Sequence, residues 1–258
     1  TYFLDWERRG DDGLVEKGRA PLPVAAPFVL RTKSDKPGFV CVEANVVTKD
    51  GRRVPKNHRW EKRVFFMGGA GVAPHEVRGG KEPADYDAFW DRVIAEELDP
   101  AAPAEVYKKE WESGDPGDVV YDVRIACPGP NPVSGYLRMP RNAAARSLPI
   151  VVLYMGYNVT AAQVPNKWDA IQLCINQQGE PNGQSAEYYA QLLATKYANF
   201  GFDEAENRDP DTVFFKYMVL RALQAVRYCM TLPEWDGVHV KVCGGSMGGF
   251  QAIQAAAH

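Results

Sequence analysis

Several common features are scarce or absent in this sequence. No apolar run approaches the roughly 20 residues that a membrane-spanning helix needs, and residues 150–154 are among the longest such runs. The net charge of −3 is spread over interspersed acidic and basic residues, without the basic stripe that would attract nucleic acid or an anionic membrane. The five cysteines are odd in number and lack C-x-x-C spacing, which argues against a zinc site and a disulfide framework. We therefore expect no metal, no nucleic acid and no membrane as partners.

The first 80 residues have the pattern of an all-β domain. Apolar residues alternate between positions 39 and 48, which is the period of a half-buried strand. An Asp-Gly turn signal follows at Asp50 and Gly51. Residues 26–31 and 63–67 are predicted as further strands, and the Gly- and Pro-rich residues 68–74 as a loop. We expect residues 1–80 to form a small, immunoglobulin-like β-sandwich that serves as an accessory domain.

The periodicity changes after Pro83. Between residues 86 and 94, apolar residues recur at three- and four-residue steps, which predicts a helix. A second helix is predicted from an N-cap at Asp209 with Pro210 at its first position, and runs to residue 230. Strands are predicted at residues 119–125, 135–139, 150–154, 170–175 and 238–243, with a last helix at 247–257. We interpret this alternation as an α/β domain with a mostly parallel sheet over residues 81–258.

The pentapeptide Gly244-Gly245-Ser246-Met247-Gly248 fits the pattern G-x-S-x-G. It lies between a predicted strand and a predicted helix, which is the placement that a nucleophile elbow requires. Glycines at 244 and 248 would let strand and helix approach closely around a serine with strained backbone. The serine hydroxyl would stand at a helix N-terminus, where the helix dipole favours developing negative charge. We therefore predict Ser246 as a catalytic nucleophile.

Two other interpretations of this glycine-rich segment remain. It could be a strand-to-helix turn without catalytic function, or a loop that binds phosphate or a dinucleotide. The second is disfavoured because no lysine follows as in a P-loop. The spacing G-x-G-x-x-G also cannot be fitted to the glycines at 244, 245, 248 and 249.

Acyl transfer also requires hydrogen-bond donors for an oxyanion. In the α/β-hydrolase architecture, one donor is the backbone N–H of the residue after the nucleophile, which is Met247 here. The other comes from the loop after the third strand, and residues 155–158 follow a fitting strand at 150–154. A donor there contributes about 3 kcal/mol to transition-state stabilisation.

Several stretches carry a resemblance to a known family. They are residues 86–90 (YDAFW), 121–125, 153–158 (LYMGYN) and 232–237 (LPEWDG), the last running into the Ser246 motif. Together they resemble the acetyl xylan esterase and cephalosporin C deacetylase family of the α/β-hydrolase superfamily. Residues 35–40 and 69–74 resemble the β-sandwich that precedes the esterase domain in some members. The resemblance implies Ser246 as nucleophile, the backbone amides of Tyr157 and Met247 as the oxyanion hole, and no cofactor.

The sequence departs from the family pattern at three places. Met247 stands where the family usually has Gln, which a backbone donor tolerates. The family's Arg-Gly-Gln motif after the fourth strand is absent, and Asn176-Gln177-Gln178-Gly179-Glu180 occupies that region. In this fold the triad order is Ser, then Asp or Glu, then His, and no acidic residue follows Ser246 up to residue 258. We expect the intact protein to extend beyond residue 258 and to supply the triad Asp and His there, rather than to use any of the histidines at 58, 75, 239 and 258.

The function implied by the resemblance is a serine esterase that removes acetyl groups from xylan or xylo-oligosaccharide through an acyl-enzyme. A peptidase or a lipid esterase on the same fold is an alternative, because fold does not determine substrate. A catalytically inactive carbohydrate-binding module is another. The family resemblance admits a homo-oligomer and favours a periplasmic or extracellular location, although residues 1–258 contain no signal-peptide pattern.

Overall fold

The computed structural model describes residues 1–23, 27–59, 62–112 and 114–258. The chain divides into two compact units, Thr1–Pro83 and Ala84–His258. Each unit contains its own β-sheet. Among the described residues, none of the helices combines the length and the apolar character that crossing a bilayer would demand.

The first unit is built around a four-stranded antiparallel sheet with the order β2-β1-β3-β4. Its strands are β1 (Tyr2–Gly10), β2 (Val15–Leu22), β3 (Gly38–Thr48) and β4 (Phe65–Val72), and a short 3₁₀ helix follows at Pro74–Glu76. Val40 and Ala44 of β3 are buried, as the alternating pattern predicts, and Val47, on the opposite face of the strand, is buried as well. The prediction of a strand at 39–48 is therefore confirmed.

Other predictions for this unit were wrong. Residues 68–74 are not a loop, because β4 continues to Val72 as an edge strand, and a Cβ atom on its Gly69 would lie 2.9 Å from the Val40 carbonyl oxygen of β3. Residues 27–31 form no strand, and Ala26 lies outside the described residues. The residues that follow, Thr32 and Lys33, are held by a side chain and not by the backbone hydrogen bonds of a strand pair. The buried Arg8 donates to Thr32 Oγ1 at 3.0 Å and to the Lys33 carbonyl at 2.9 Å. A sandwich needs two packed sheets, and the described part of this unit has one.

The second unit contains a six-stranded sheet with the order β10-β8-β9-β7-β6-β5. The strands are β5 (Glu105–Trp111), β6 (Asp118–Ile125), β7 (Val133–Pro140), β8 (Leu148–Tyr154), β9 (Ile171–Asn176) and β10 (Trp235–Gly244). Only the pairings of β8 with β9 and with β10 are parallel; the other three are antiparallel. The predicted mostly parallel sheet is thus corrected to a mixed α/β sheet. Two of the antiparallel pairings arise because β5, β6 and β7 follow one another without intervening helices, and such short connections produce antiparallel neighbours.

In the part of this unit that the structure describes, four α-helices accompany the sheet: α1 (Tyr86–Val93), α2 (Ala186–Ala194), α3 (Phe214–Met230) and α4 (Met247–Ala257). A π-helical turn, Ile94–Leu98, extends α1. The predicted start of the long helix at Asp209 was wrong. The Asp209 carbonyl accepts from the amides of Thr212 and Val213, so Asp209 closes a separate turn and α3 begins at Phe214.

The core of the second unit lies between the central strands and α3. Residues of β8 and β9 such as Ile150, Val152 and Leu173 are fully buried against small residues of α3. The hydroxyl of Tyr154 at the end of β8 donates to the Ala222 carbonyl of α3 at 3.0 Å. This contact fixes the carboxyl end of β8, which is where the candidate site lies.

The five cysteines are free thiols and differ in exposure. Cys41 of β3 is exposed, whereas Cys174 and Cys229 are buried in the second unit. Burial raises the pKa of Cys174 to about 11 and that of the half-buried Cys127 to about 12.

Candidate active site

Ser246 occupies the turn between β10 and α4. Its backbone has φ of 56° and ψ of −124°, and its side chain is exposed. A positive φ is uncommon for a residue with a side chain and is retained only where the surroundings enforce it. The strained, exposed serine that the motif predicts is therefore present at the N-terminus of α4.

Two glycines of the motif are required by the close approach of backbone to backbone. A Cβ atom on Gly244 would lie 2.5 Å from the carbonyl carbon of Gly248, and one on Gly248 would lie 2.2 Å from the carbonyl oxygen of Tyr154. A Cβ atom on Gly245 would meet nothing within 4 Å. Steric contact therefore demands glycine at the first and last positions of G-x-S-x-G but not at the second.

The loop after β8 lies beside the serine. In the parallel pairing of β10 with β8, Gly244 stands opposite Tyr154, so both strands end at the same edge of the sheet. A Cβ atom on Gly156 would lie 3.3 Å from the Gly245 carbonyl oxygen and 3.9 Å from the Ser246 Cβ atom. The structure thus brings together the two segments that hold Ser246, Met247 and Tyr157.

The backbone amides of Tyr157 and Met247 are unpaired. Neither donates a hydrogen bond to any atom of the residues that the structure describes, and the Ser246 hydroxyl likewise has no partner there. By contrast, the next amides in α4 are satisfied: Gly248 donates to the Gly245 carbonyl at 2.9 Å and Phe250 to that of Ser246 at 3.2 Å. Two free N–H donors beside an exposed hydroxyl are the groups that stabilisation of an acyl-transfer oxyanion requires.

Three buried glutamines hold these segments, and none of them was recognised in the sequence. Gln177 Nε2 donates to the carbonyls of Gly156 and Asn158 at 2.7 and 3.0 Å. Gln178 Nε2 donates to the Asn158 carbonyl at 2.8 Å. Gln251 Nε2, from α4, donates to the carbonyls of Met155 at 3.1 Å and Met247 at 3.3 Å. The loop after β8 is therefore held by hydrogen bonds from side chains that lie outside the loop.

The segment that carries Gln177 and Gln178 is fixed in turn by Glu180. The main chain of Glu180 exchanges hydrogen bonds with the Asn176 side chain, and its carboxylate accepts from Lys196, Tyr197 and Tyr188. Burial alone would raise the pKa of Glu180, but the hydrogen bonds from Lys196 and Tyr197 outweigh it and lower the pKa. The carboxylate is therefore ionised at neutral pH.

Aromatic side chains lie next to the unpaired amide of Tyr157. The Tyr157 ring is 43% exposed and stacks on the buried Phe200 with ring centroids 4.2 Å apart and planes 7° apart. Phe202, 70% exposed, meets the same ring edge-to-face at 5.5 Å. Tyr157 and Phe202 thus form an exposed aromatic surface at the residue that follows Gly156 in the loop after β8.

The histidines of this unit do not reach Ser246. His239 pairs with Asp236 at 2.8 Å, and the amides of His239 and Val238 lower the pKa of Asp236 to about 2. This pair lies toward the opposite end of β10, about 15 Å from the serine turn by strand geometry. His258 is about 15 Å away at the far end of α4, against Trp90. Within the described residues, no group of three or more His, Cys, Asp or Glu side chains is arranged to hold a metal ion.

Comparison with known proteins gives a consistent result. A family model described as acetyl xylan esterase (AXE1) matches residues 75–258. Among curated proteins, the acetyl esterase Axe7A of Xylanibacter ruminicola is 27% identical over 231 residues, which cover 82% of this chain and 52% of that protein. The chain thus spans about half the length of the curated relative that it matches.

Two solved structures share the fold. An acetyl xylan esterase from Paenibacillus sp. R4 superposes with a TM-score of 0.54 at 22% identity, over 69% of this chain and 57% of that one. Acetyl xylan esterase 1 from Thermoanaerobacterium sp. JW/SL YS485 gives a TM-score of 0.51 at 19% identity, over 68% and 55% of the two chains.

Proposed function

The chain belongs to the acetyl xylan esterase family, and on this premise we propose that it carries the nucleophile half of a serine esterase that removes acetyl groups from xylan-type carbohydrate. One observation supports the proposal above all others: the exposed, strained Ser246 lies beside two unpaired backbone amides. A glycine-rich turn without catalytic function would not need a second loop whose amide is also left free. We therefore assign nucleophile and oxyanion hole to one site.

The reaction follows from this arrangement. The Ser246 oxygen attacks the acetyl carbonyl carbon, and the carbonyl electron pair moves to its oxygen, which accepts hydrogen bonds from the amides of Tyr157 and Met247. When the carbonyl re-forms, the bond to the sugar oxygen breaks and that oxygen takes the proton removed from the serine. Water then attacks the acetyl-serine through the same oxyanion, which releases acetate and restores the hydroxyl.

The proton carrier is proposed to come from outside residues 1–258. In this fold the acid and base follow the nucleophile along the chain, and no acidic residue follows Ser246 in the sequence. Of the two histidines of the second unit, His239 lies in the middle of β10 and pairs with Asp236, and His258 lies at the C-terminal end of α4. No cofactor takes part in the proposed reaction.

The exposed aromatic surface supports a carbohydrate as substrate. Aromatic faces offer a large apolar area with little conformational entropy to lose, and the exposed rings of Tyr157 and Phe202 contact each other at the loop that approaches the serine. A sugar ring that rests there would place an acetylated hydroxyl toward Ser246. We further propose that the unit Thr1–Pro83 is an accessory domain of the esterase.

The proposal is tested with the full-length protein that contains this chain. Acetate release from acetylated xylan, and labelling by a fluorophosphonate, are measured for the wild type, Ser246→Ala and the control Ser147→Ala, whose exposed hydroxyl binds the Ala144 carbonyl away from the site. We expect Ser246→Ala to lose label and to lower kcat by about 10⁴-fold or more, and Ser147→Ala to behave as the wild type.

Substrate preference separates the esterase from its alternatives. We expect aryl acetates to be cleaved faster than aryl esters of longer acids, and peptide substrates not at all. Faster cleavage of longer acyl chains would favour a lipid esterase, and peptide cleavage a peptidase. Unchanged labelling of Ser246→Ala would remove this residue from the mechanism, and sugar binding without any Ser246-dependent hydrolysis would favour an inactive binding module.

A further inference from the structure

We propose that Gln177 is a positioning residue for the oxyanion donor of Tyr157, an inference that rests on the proposed function. The Gln177 side chain is 1% exposed, and its amide nitrogen donates to the carbonyls of Gly156 and Asn158 at 2.7 and 3.0 Å. These two carbonyls precede and follow Tyr157 in the chain. One side-chain amide therefore holds the peptide group that carries the Tyr157 N–H and also the peptide group that follows Asn158.

Because of peptide geometry, the hydrogen bond from Gln177 to the Gly156 carbonyl also sets the direction of the Tyr157 N–H. The Gly156 carbonyl and the Tyr157 N–H belong to one planar trans peptide group, in which the two bonds point in opposite directions. When Gln177 holds the oxygen, the N–H must point away from Gln177. The Gly156 Cα atom lies next to Ser246, since a Cβ atom built on it would be 3.9 Å from the Ser246 Cβ atom. The same hydrogen bond polarises the peptide group and makes its N–H a stronger donor.

The atoms of Gln177 are assigned by their partners. Both contacts are to backbone carbonyl oxygens, which only accept, so the contacting atom must be the amide nitrogen with its two hydrogens. The Gln177 main chain is itself fixed, because the buried Arg221 of α3 donates from Nε to the Gln177 carbonyl at 2.9 Å. The amide thus acts from a rigid support just after β9.

The neighbouring Gln178 does not share this function. Its amide nitrogen donates to the Asn158 carbonyl at 2.8 Å, and that carbonyl belongs to the peptide group of Val159. Gln178 therefore supports the loop without touching the peptide group that carries the Tyr157 N–H. Of the two adjacent glutamines, Gln177 alone is placed to orient the donor.

A matched control exists in the same unit. Gln224 is also fully buried, and its amide nitrogen also donates to two backbone carbonyls, those of Ala101 at 3.0 Å and Ala126 at 2.8 Å. Gln177→Leu removes the donor to the Gly156 carbonyl, while the Asn158 carbonyl keeps its hydrogen bond from Gln178. Gln224→Leu removes the donor to both of its carbonyls, so the control variant loses at least as many structural hydrogen bonds. Only the first frees the peptide group of Tyr157.

The experiment measures kcat, KM and thermal stability of both variants in the full-length protein, with an aryl acetate as substrate. We expect Gln177→Leu to lower kcat by about 10- to 100-fold with KM changed less than about twofold, since the lost interaction forms in the transition state. Inhibition by methylboronic acid, whose tetrahedral adduct with a serine mimics the oxyanion, should weaken by the same factor. Gln224→Leu should lower stability at least as much as Gln177→Leu does, with kcat within about twofold of the wild type.

Gln177→Glu gives a second readout in a side chain of nearly the same shape. The ionised carboxylate has no hydrogen to donate, whereas the protonated acid regains one O–H donor. We therefore expect the ratio of variant kcat to wild-type kcat to rise as the pH is lowered. If Gln177 had a purely structural role, the ratio of variant kcat to wild-type kcat would change with pH only as the thermal stability of the variant changes.

The outcomes separate the two proposals. Suppose that the wild type hydrolyses acetyl esters through Ser246. If Gln177→Leu and Gln224→Leu then lower kcat equally, or if Gln177→Leu leaves boronate inhibition unchanged, the positioning function of Gln177 is overturned. The proposed esterase activity would still stand. If the wild type shows no Ser246-dependent hydrolysis, both proposals fall. A selective loss of kcat in Gln177→Leu, with the pH-dependent ratio in Gln177→Glu, supports both.

Discussion

The turn after β10 and the loop after β8 each contribute a free backbone N–H to the site at Ser246, but they are held in different ways. The turn is determined by its own residues, because glycines at 244 and 248 allow a backbone contact that no other residue permits. The loop has no such constraint. It is held by amide side chains that lie 21 positions away in the chain, at Gln177, and in α4, at Gln251.

This difference indicates how each segment should respond to change. A turn defined by steric exclusion should fail abruptly when a single atom is added and should be indifferent to pH. A loop held by hydrogen bonds should weaken by degrees, and it should depend on the ionised Glu180 that fixes the supporting segment. The following predictions test this contrast in order of expected effect.

The largest effect is expected for Gly248→Ala. The added methyl group would lie 2.2 Å from the Tyr154 carbonyl oxygen, so strand and helix must separate. We expect a loss of about 3 kcal/mol in the free energy of unfolding, together with a fall in kcat of about 100-fold or more. Chemical unfolding and kcat of the full-length protein provide the measurements. Gly245→Ala is the control, since its methyl group meets no atom within 4 Å, and equal stability of the two variants would refute the steric explanation.

A smaller effect with a pH signature is expected for Glu180→Gln. The folded-state pKa of Glu180 is lowered below its unfolded value of about 4.3. Its charge therefore stabilises the fold above that value, and the contribution is lost as the pH falls through the folded-state pKa. We expect Glu180→Gln to cost about 2 kcal/mol at neutral pH and progressively less below pH ~4.

Urea unfolding of Glu180→Gln and wild type at neutral and acidic pH measures this difference. Glu204→Gln is the control because Glu204 forms an exposed pair with Arg208, and such pairs contribute less than about 1 kcal/mol. A stability difference between wild type and Glu180→Gln that stayed constant down to acidic pH would contradict the assignment.

Gln251→Leu should have a modest effect on both segments, because Gln251 donates one hydrogen bond to each. We expect a loss of about 1 kcal/mol in stability and a fall in kcat of up to about tenfold. Gln254→Leu is the control on the same helix, since its side chain accepts from the Tyr86 hydroxyl instead. If kcat fell equally in both variants, Gln251 would have no specific link to the site.

The smallest effects are expected for Tyr157→Phe and Met247→Gln. Both proposed donors are backbone N–H groups, and the phenylalanine ring can still stack on Phe200. We expect kcat/KM for an aryl acetate to stay within about threefold of the wild type. A loss of more than tenfold in Tyr157→Phe would instead assign a catalytic function to the phenol hydroxyl.

The sequence predicted those features whose causes are local. The strand β8, the helix α4 and the turn at Ser246 follow from a continuous apolar run, a helical period and the steric demand of adjacent glycines. The strands β1 and β2 were missed because charged residues such as Glu7 and Arg19 interrupt the apolar alternation.

Features that depend on distant parts of the chain could not be predicted. The antiparallel pairings that involve β5, β6 and β7 depend on which strands become neighbours in the folded sheet. The period of the apolar residues predicts a strand but not its direction. Gln177 and Gln178 have polar side chains that a sequence pattern assigns to the surface. Their burial is stable only because carbonyls from another loop accept their hydrogens, and that proximity exists only in the folded chain.

The uneven exposure of the cysteines has a practical consequence. The thiolate is the form that reacts with electrophilic dyes, and burial keeps Cys127 and Cys174 protonated through pKa values of about 12 and about 11. Cys41 stands exposed on β3 in the unit Thr1–Pro83. Maleimide chemistry on the native protein would therefore reach Cys41 ahead of Cys127 and Cys174, so a fluorophore placed there could report on the unit Thr1–Pro83.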